Sequence, residues 1–288
     1  MKAKQRPPFP LNIIRTAFPI LEKCAPPLAG KLYTTLFFKP FKRPMNDRDQ
    51  AFLAAAQTSI LPLEGNQVKV YRWGKQESPK ILLVHGWMGR ATQFNVLVET
   101  LVDKGYQCIT FDAPGHGQSS GKETNVLEFA TIVELIYQQE GAFQMVIGHS
   151  MGAVATLFAM NKWPISTKIV QIGAPALGKD ILSGYEQKVN ARPQNQKYLH
   201  QFIYKKVGLD FFDVQGEKLI QTIPQNTAVL NIHDQHDTEV PFYHQQKFAE
   251  VYPQLLTMAT ENLGHNRTLR DERVIAKIMD FLTSEAKK

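Results

Sequence analysis

Cysteine is scarce: the 288-residue chain has two, Cys24 and Cys108, too few for a disulfide framework. Cys108 lies in an apolar, strand-like run, so a buried thiol is expected there rather than a bridge. Long hydrophobic runs are missing too. No apolar stretch reaches the roughly 18 residues of a membrane span, and Pro10, Arg15 and Pro19 interrupt what would be the apolar core of a cleavable signal peptide. A cytoplasmic address is the expectation. Acidic residues are nearly absent from the first 43 positions, which hold nine Lys/Arg and one Glu. Of the whole-chain charge of +7 these positions carry +8, leaving −1 beyond Arg43. A body without net positive charge argues against nucleic acid as a partner, since a basic face should run across the folded domain.

Metal-ligand clusters are also few. His233, Asp234, His236 and Asp237 have the right residue types but share one short loop. A closed site would need ligands from elsewhere, and catalytic zinc usually takes a wider spacing or a helix. The expectation is no metal and no cofactor.

What is present begins with a distinctive arm. Eight of the 17 prolines fall in the first 44 residues, between short apolar stretches such as 11–14, 17–21 and 32–38. Two readings stay open: short helices that lay their apolar sides on the body, or a basic, aromatic arm (1–43) resting on an anionic membrane surface. The arm is delimited at 1–48. Beyond it, a short helix is expected over 49–58, favoured by Ala54, Ala55 and Ala56, then an edge strand over 68–73. Strand-like runs follow at 80–84, 107–111, 143–147, 168–172, 228–232 and 255–260, with helical periodicity at 93–102, 126–139, 153–160 and 271–282. Such alternation implies an α/β fold, a mostly parallel central sheet covered by helices on both faces. Ligands of such sheets bind beyond the carboxyl ends of the strands.

The residues with chemistry do follow strands. Gly148-His149-Ser150-Met151-Gly152 joins a strand to a helix and reads as a nucleophile elbow, a sharp turn that crowds its neighbours and needs glycine two positions either side of the serine. Ser150 is the candidate nucleophile. A serine hydroxyl needs a base and a group to orient that base. His265, in a glycine-containing turn after the run 255–260, is the candidate base, because His233, His236 and His244 crowd the acid's own loop. Asp237 and Asp234 compete for the orienting role.

Five segments in order, namely His85 to Gly89, Phe111 to Ser119, Gly148 to Gly152, Asp234 to Asp237 and Leu263 to His265, resemble the successive signatures of the α/β-hydrolase superfamily, in its serine esterase and lipase branch. The likeness extends over about 68–282. It implies a triad in the order Ser150, Asp237, His265, with Asp234 bracing the loop. It also implies an oxyanion hole from the backbone N–H groups of Met151 and Trp87, and a structural turn at Asp112 to Gly117. The 55 or so residues between 172 and 228 exceed a simple crossover and resemble that family's cap, an insertion at about 176–226 in a hydrolase domain of 49–288. Aromatics there, among them Tyr198, Phe202 and Phe211, either pack cap helices together or line a substrate pocket with Trp87 and His149.

The resemblance therefore implies a serine hydrolase cleaving a small-molecule carboxylic ester, acyl or lipid-like, through an acyl-enzyme. A thioesterase, an acyltransferase or another acyl hydrolase of the same fold is the alternative. A non-catalytic binding protein on this fold is the alternative from another class.

Overall fold

The computed structural model describes residues 9–42 and 44–284. The chain divides into two compact units, 1–38 with 177–213, and 39–176 with 214–288.

The larger unit is built on eight strands: β1 (Gln57–Leu63), β2 (Asn66–Trp73), β3 (Lys80–Val84), β4 (Gln107–Asp112), β5 (Met145–His149), β6 (Lys168–Ile172), β7 (Ala228–Asp234) and β8 (Leu256–Thr260). They form one sheet in the order β1-β2-β4-β3-β5-β6-β7-β8. The β1/β2 and β2/β4 pairs are antiparallel, and β4 through β8 run parallel. Every residue of β4, β5 and β6 is buried, as expected where helices cover both faces of a parallel sheet.

Its helices are α3 (Asp47–Ala54), α4 (Asn95–Asp103), α5 (Val126–Glu140) and α6 (Met151–Met160), then α9 (Gly216–Leu219), α10 (Tyr243–Val251), α11 (Gly264–Arg267) and α12 (Glu272–Thr283). Local signals set their starts: Asn46, Asn125 and Asp271 each accept backbone N–H bonds as N-caps of α3, α5 and α12. On one face of the sheet, Leu97 and Leu101 of α4 and Ile278 and Phe281 of α12 share a core with alternate strand residues, Ile81 and Leu83, Ile147, Val170 and Leu230. Each such side chain fully removed from water contributes about 1.5–3 kcal/mol. Lys168 is buried at the start of β6 because its ammonium donates to the carbonyls of Phe281 and Leu282 (3.0 and 2.7 Å), capping the end of α12.

Two expectations are corrected. The helix over 49–58 stops at Ala54, and Thr58 is already in β1, paired with Tyr71. Consequently 68–73 is not an edge strand, for β1 lies outside β2. The reason is that β1 buries only Leu61 and leaves Ile60 half exposed, so the alternation that marks a strand is absent from its sequence. Helix α10 was also not expected; its sequence is mostly polar and buries Phe248, His244 and Gln245.

The smaller unit is helical: α1 (Phe9–Cys24) and α2 (Pro26–Phe37) of the arm pack with α7 (Gly178–Val189) and α8 (Gln196–Val207) of the inserted segment. Phe18, Ala29, Tyr33, Leu182 and Leu199 form its core. Tyr185 sits edge-on to Tyr33 and Phe37, with ring centroids 4.9 and 5.1 Å apart. Polar ties reinforce it. Pro19 has no N–H to offer the Arg15 carbonyl one turn back, and the amide of Asn190 donates to that carbonyl instead, at 2.9 Å. The Arg15 guanidinium in turn caps α7 through the carbonyls of Gln187 and Lys188. Buried Glu22 accepts from the Arg192 N–H at 2.7 Å and from the Asn195 amide.

Candidate active site

Ser150, Asp237, His265 and the residues that hold them lie in the loops that leave the carboxyl ends of β3, β4, β5, β6, β7 and β8. The serine lies between β5 and α6 at φ 52° and ψ −123°, a left-handed conformation that costs a non-glycine residue about 1–3 kcal/mol. Its neighbours show why the turn demands glycine. A Cβ on Gly148 would lie 2.5 Å from the Cα of Ala153, and one on Gly152 would lie 2.3 Å from the carbonyl oxygen of Val84. The elbow is pinned to the sheet by the Ser150 N–H, which donates to Ile172 at 2.9 Å. Ser150 Oγ itself has no hydrogen-bond partner among the described residues. Met151 opens α6, where the first N–H groups have no partner within the helix.

Asp237 and His265 meet at the other side of the site. His265 Nδ1 donates to Asp237 Oδ2 at 2.7 Å, and Asp237 Oδ1 accepts the N–H groups of Glu239 (2.8 Å) and Val240 (2.9 Å). Burial opposes ionisation of this carboxyl, yet the bond and charge of His265, with the two loop N–H groups, hold it below the ordinary carboxylate range. Asp234 is spent on the loop backbone: it accepts from the N–H groups of His236, Leu263 and Gly264 and from the Thr260 hydroxyl. Burial opposes its ionisation too, and these bonds lower its pKa. The segment that carries His265 is thereby tied to the loop that carries Asp237.

Gly173 packs against the imidazole. It follows Ile172, the acceptor of the Ser150 N–H, and a Cβ there would lie 3.1 Å from the His265 ring and 3.5 Å from Asp237 Oδ2. His149 makes a second link. Its ring lies 4.6 Å from that of His265, and its Nε2–H donates to the His265 carbonyl at 3.1 Å. Full burial, with His265 alongside, drops the His149 pKa to about 3, so the ring is neutral.

The loop after β3 is held from below. His116 Nε2 accepts the Met88 N–H (3.0 Å) while its Nδ1–H donates to Pro114. His85 Nε2 accepts from Ala113, and its Nδ1–H donates to Gly86. Burial lowers their pKa values to about 3 and 4. Met88 sits at φ 58°, and the preceding Trp87 is half-buried, edge-on to His116 at 5.7 Å. The N–H of Trp87, like that of Met151, makes no bond among the described residues. Asp112 organises the turn behind, accepting from Ala91, Gln118 and the Tyr71 hydroxyl, each at 2.8 Å.

Tyr198, Phe202 and Phe211 belong to the helical unit. There Tyr198 lies against Gly30, where a Cβ would come within 2.1 Å of its ring; Phe202 is exposed beside Phe38; Phe211 stacks edge-on with Phe37. Among the described residues no three His, Cys, Asp or Glu side chains are grouped to hold a metal. Sequence reasoning gave no task to His116 and no link from His149 to His265. A histidine inside the Pro114-Gly115-His116-Gly117 turn was the available signal, but which N–H it meets depends on the sheet.

A family model described as serine aminopeptidase, S33, matches residues 75–260. A serine hydrolase-like protein of Dictyostelium discoideum is 30% identical over 126 residues, 41% of this chain and 35% of that protein. The chain spans about a third to a half of the length of the curated relatives it matches. Among solved structures, an esterase of Pyrococcus furiosus is similar over 87% of this chain and 98% of its own (TM-score 0.64, 20% identity). The thioesterase domain from the curacin biosynthetic pathway is similar over 80% and 100% (TM-score 0.59, 17% identity). At these identities the structural likeness speaks for the fold.

Proposed function

Because the chain belongs to the α/β-hydrolase family described as serine aminopeptidase, S33, we propose that it is a serine hydrolase acting on carboxylic esters, with Ser150, His265 and Asp237 as its triad. The observation that carries the reading is the 2.7 Å bond from His265 Nδ1 to Asp237 in a loop cluster tied to the Ser150 elbow through Ile172 and Gly173. A proton held on Nδ1 by that bond would leave Nε2 as the base.

In this mechanism Ser150 Oγ attacks the acyl carbon while His265 Nε2 takes its proton. The carbonyl oxygen gains negative charge, which the N–H groups of Met151 and Trp87 would receive. His265 then returns the proton to the leaving alkoxide, and a water deprotonated by His265 releases the acid. Asp237, ionised, holds the imidazole tautomer and stabilises the imidazolium. His85 and His116, neutral at the working pH, fix the loop bearing Trp87 without competing for the proton. The names of relatives, a serine hydrolase-like protein and the esterase, agree with this reading. Trp87 and His149 are proposed as walls of the acyl site.

The test is a nitrophenyl ester series of rising acyl length, with thioesters of the same acyl groups in parallel, on wild type and Ser150→Ala, plus a fluorophosphonate label. Turnover and labelling that vanish in the variant support the proposal. Silence of the wild type toward both ester classes and the label overturns it in favour of a binding protein.

A further inference from the structure

The outward face of the helical unit has a composition that water alone does not explain. Exposed positions 12, 13, 16, 17, 20, 23 and 24 of α1 recur at helical spacing and carry one charged side chain, Lys23. Ile13 and Ile20, seven residues apart and so on one stripe, are 54% and 63% exposed, and Leu28 at the start of α2 is 55% exposed. A solvated surface helix ordinarily turns charge outward and apolar residues inward; α1 buries Phe18 inward and still shows isoleucine outward. Of the nine large apolar residues exposed among the described ones, six lie in this unit.

Its charge is one-sided as well. The single acid of residues 1–43, Glu22, is buried against Arg192 and Asn195. The outward charges of α1 and α2 are therefore the cations Lys23 and Lys31. The end of α8 repeats the mixture, with Tyr204 and Val207 exposed beside Lys205 and Lys206.

We propose that the outward face of α1 and α2 docks on an anionic lipid surface, Ile13, Ile20 and Leu28 entering the headgroup boundary and Lys23 and Lys31 pairing with lipid phosphates. Isolated apolar side chains flanked by cations and free of carboxylates suit that boundary, where aliphatic stems enter the acyl region and ammonium groups stay with phosphate. A second copy of the chain fits worse, because this unit carries a net charge of +7, twelve Lys/Arg against five Asp/Glu, and self-association would bring like charges together. Contact is peripheral: among the described residues no helix is long and apolar enough to cross a membrane.

The experiment is co-sedimentation of the full chain with phosphatidylcholine vesicles with or without about a third phosphatidylserine, at low and high salt. Wild type is compared with Ile20→Ser/Leu28→Ser and with Lys23→Glu/Lys31→Glu, each checked for an unchanged melting temperature. The expected result is binding to the anionic vesicles that weakens with salt and falls about tenfold or more in either double variant. Since all four positions are exposed, both variants should fold. The proposal is overturned by a wild type that does not pellet, by equal binding to neutral vesicles, or by variants that bind as wild type does. Equilibrium sedimentation showing a dimer that the Ile20→Ser/Leu28→Ser change dissociates overturns it too, assigning the face to self-association.

Discussion

The two units of this chain solve opposite problems with the same side-chain alphabet. The sheet unit has twenty-one basic and twenty-one acidic residues, a net of zero, whereas the helical unit holds the entire +7. In the sheet unit, buried polar side chains such as Asp112, His116, Asp234 and Asp237 are each engaged by backbone N–H groups of loops that leave the strands. In the helical unit the buried carboxylates tie elements together, Glu22 of α1 to Arg192 and Asn195 before α8, and Glu186 of α7 to Tyr33 of α2 and Gln196 of α8. Chemistry demands positions fixed to a fraction of an ångström, which a covered parallel sheet supplies. A surface role demands charge and apolar area facing out, which a small helical layer offers at little cost to its core.

Substitutions at the elbow separate the units most sharply. Ser150→Ala should remove about 10⁴-fold or more of the ester turnover and leave the melting temperature and vesicle binding alone. Ser150→Gly should abolish turnover as fully while raising stability by about 1 kcal/mol through relief of the left-handed strain, readable by denaturant unfolding. A stable, fully active Ser150→Ala protein would end the triad reading.

The two aspartates provide the next contrast. Asp237→Asn keeps the shape but presents the wrong tautomer to His265, and kcat should fall about 10³–10⁴-fold. Asp234→Asn, which loses charge at the backbone N–H groups of the 263–264 segment, should act mainly on stability, by about 1–3 kcal/mol. Equal losses of kcat from both changes would erase the distinction drawn from their partners.

A core truncation probes whether the units melt apart. Leu182→Ala, in the centre of the helical core, should cost about 2–5 kcal/mol. Hydrogen exchange should then accelerate in 9–38 and 177–213 while the strands around Ser150 keep their protection. Uniform acceleration through both units would show that they unfold as one.

Acid should act on the sheet unit. His85, His116 and His149 have folded pKa values of about 4, 3 and 3 against about 6.5 in the unfolded chain. The unfolded state therefore takes up protons first as pH falls. Their contribution is complete above about pH 6.5 and drains away below it, by about 1.4 kcal/mol per pH unit for each ring until the folded value is reached. Depression of the Asp237 carboxyl adds a further loss at lower pH, as it falls through the folded value. His149→Gln retains an N–H for the His265 carbonyl and should flatten the decline between pH 6.5 and 4.5 by one ring's share. An unchanged slope in unfolding free energy would show that His149 does not titrate in this way.

Much of the fold was legible. The parallel strands are short, apolar and closed by chemistry-bearing turns, so β3 to β8 and the Ser150 elbow announce themselves locally. The edge strand β1 did not, since it buries one side chain, and neither did α10, whose buried His244 and Gln245 look like surface residues in sequence. The arm read as a segment apart because its partners, Glu186, Asn190, Arg192 and Asn195, lie more than 150 positions away.

By itself the sequence determined the alternation of strands and helices, the glycine-flanked turn at Ser150, the late Asp and His candidates, and a charge concentrated at the N-terminus. Each follows from forces between near neighbours in the chain: periodic burial, steric crowding in a tight turn, and composition. Tertiary structure put Asp237, the acid the family resemblance implied, rather than Asp234 against His265, and alone decided that His116 and His149 hold the loops bearing Met88 and His265 and that the arm shares a core with residues 177–213. Those outcomes depend on which backbone groups arrive, across the sheet or between helices, within three ångströms of a side chain, and hydrogen bonds of that reach are selected only after the chain has folded.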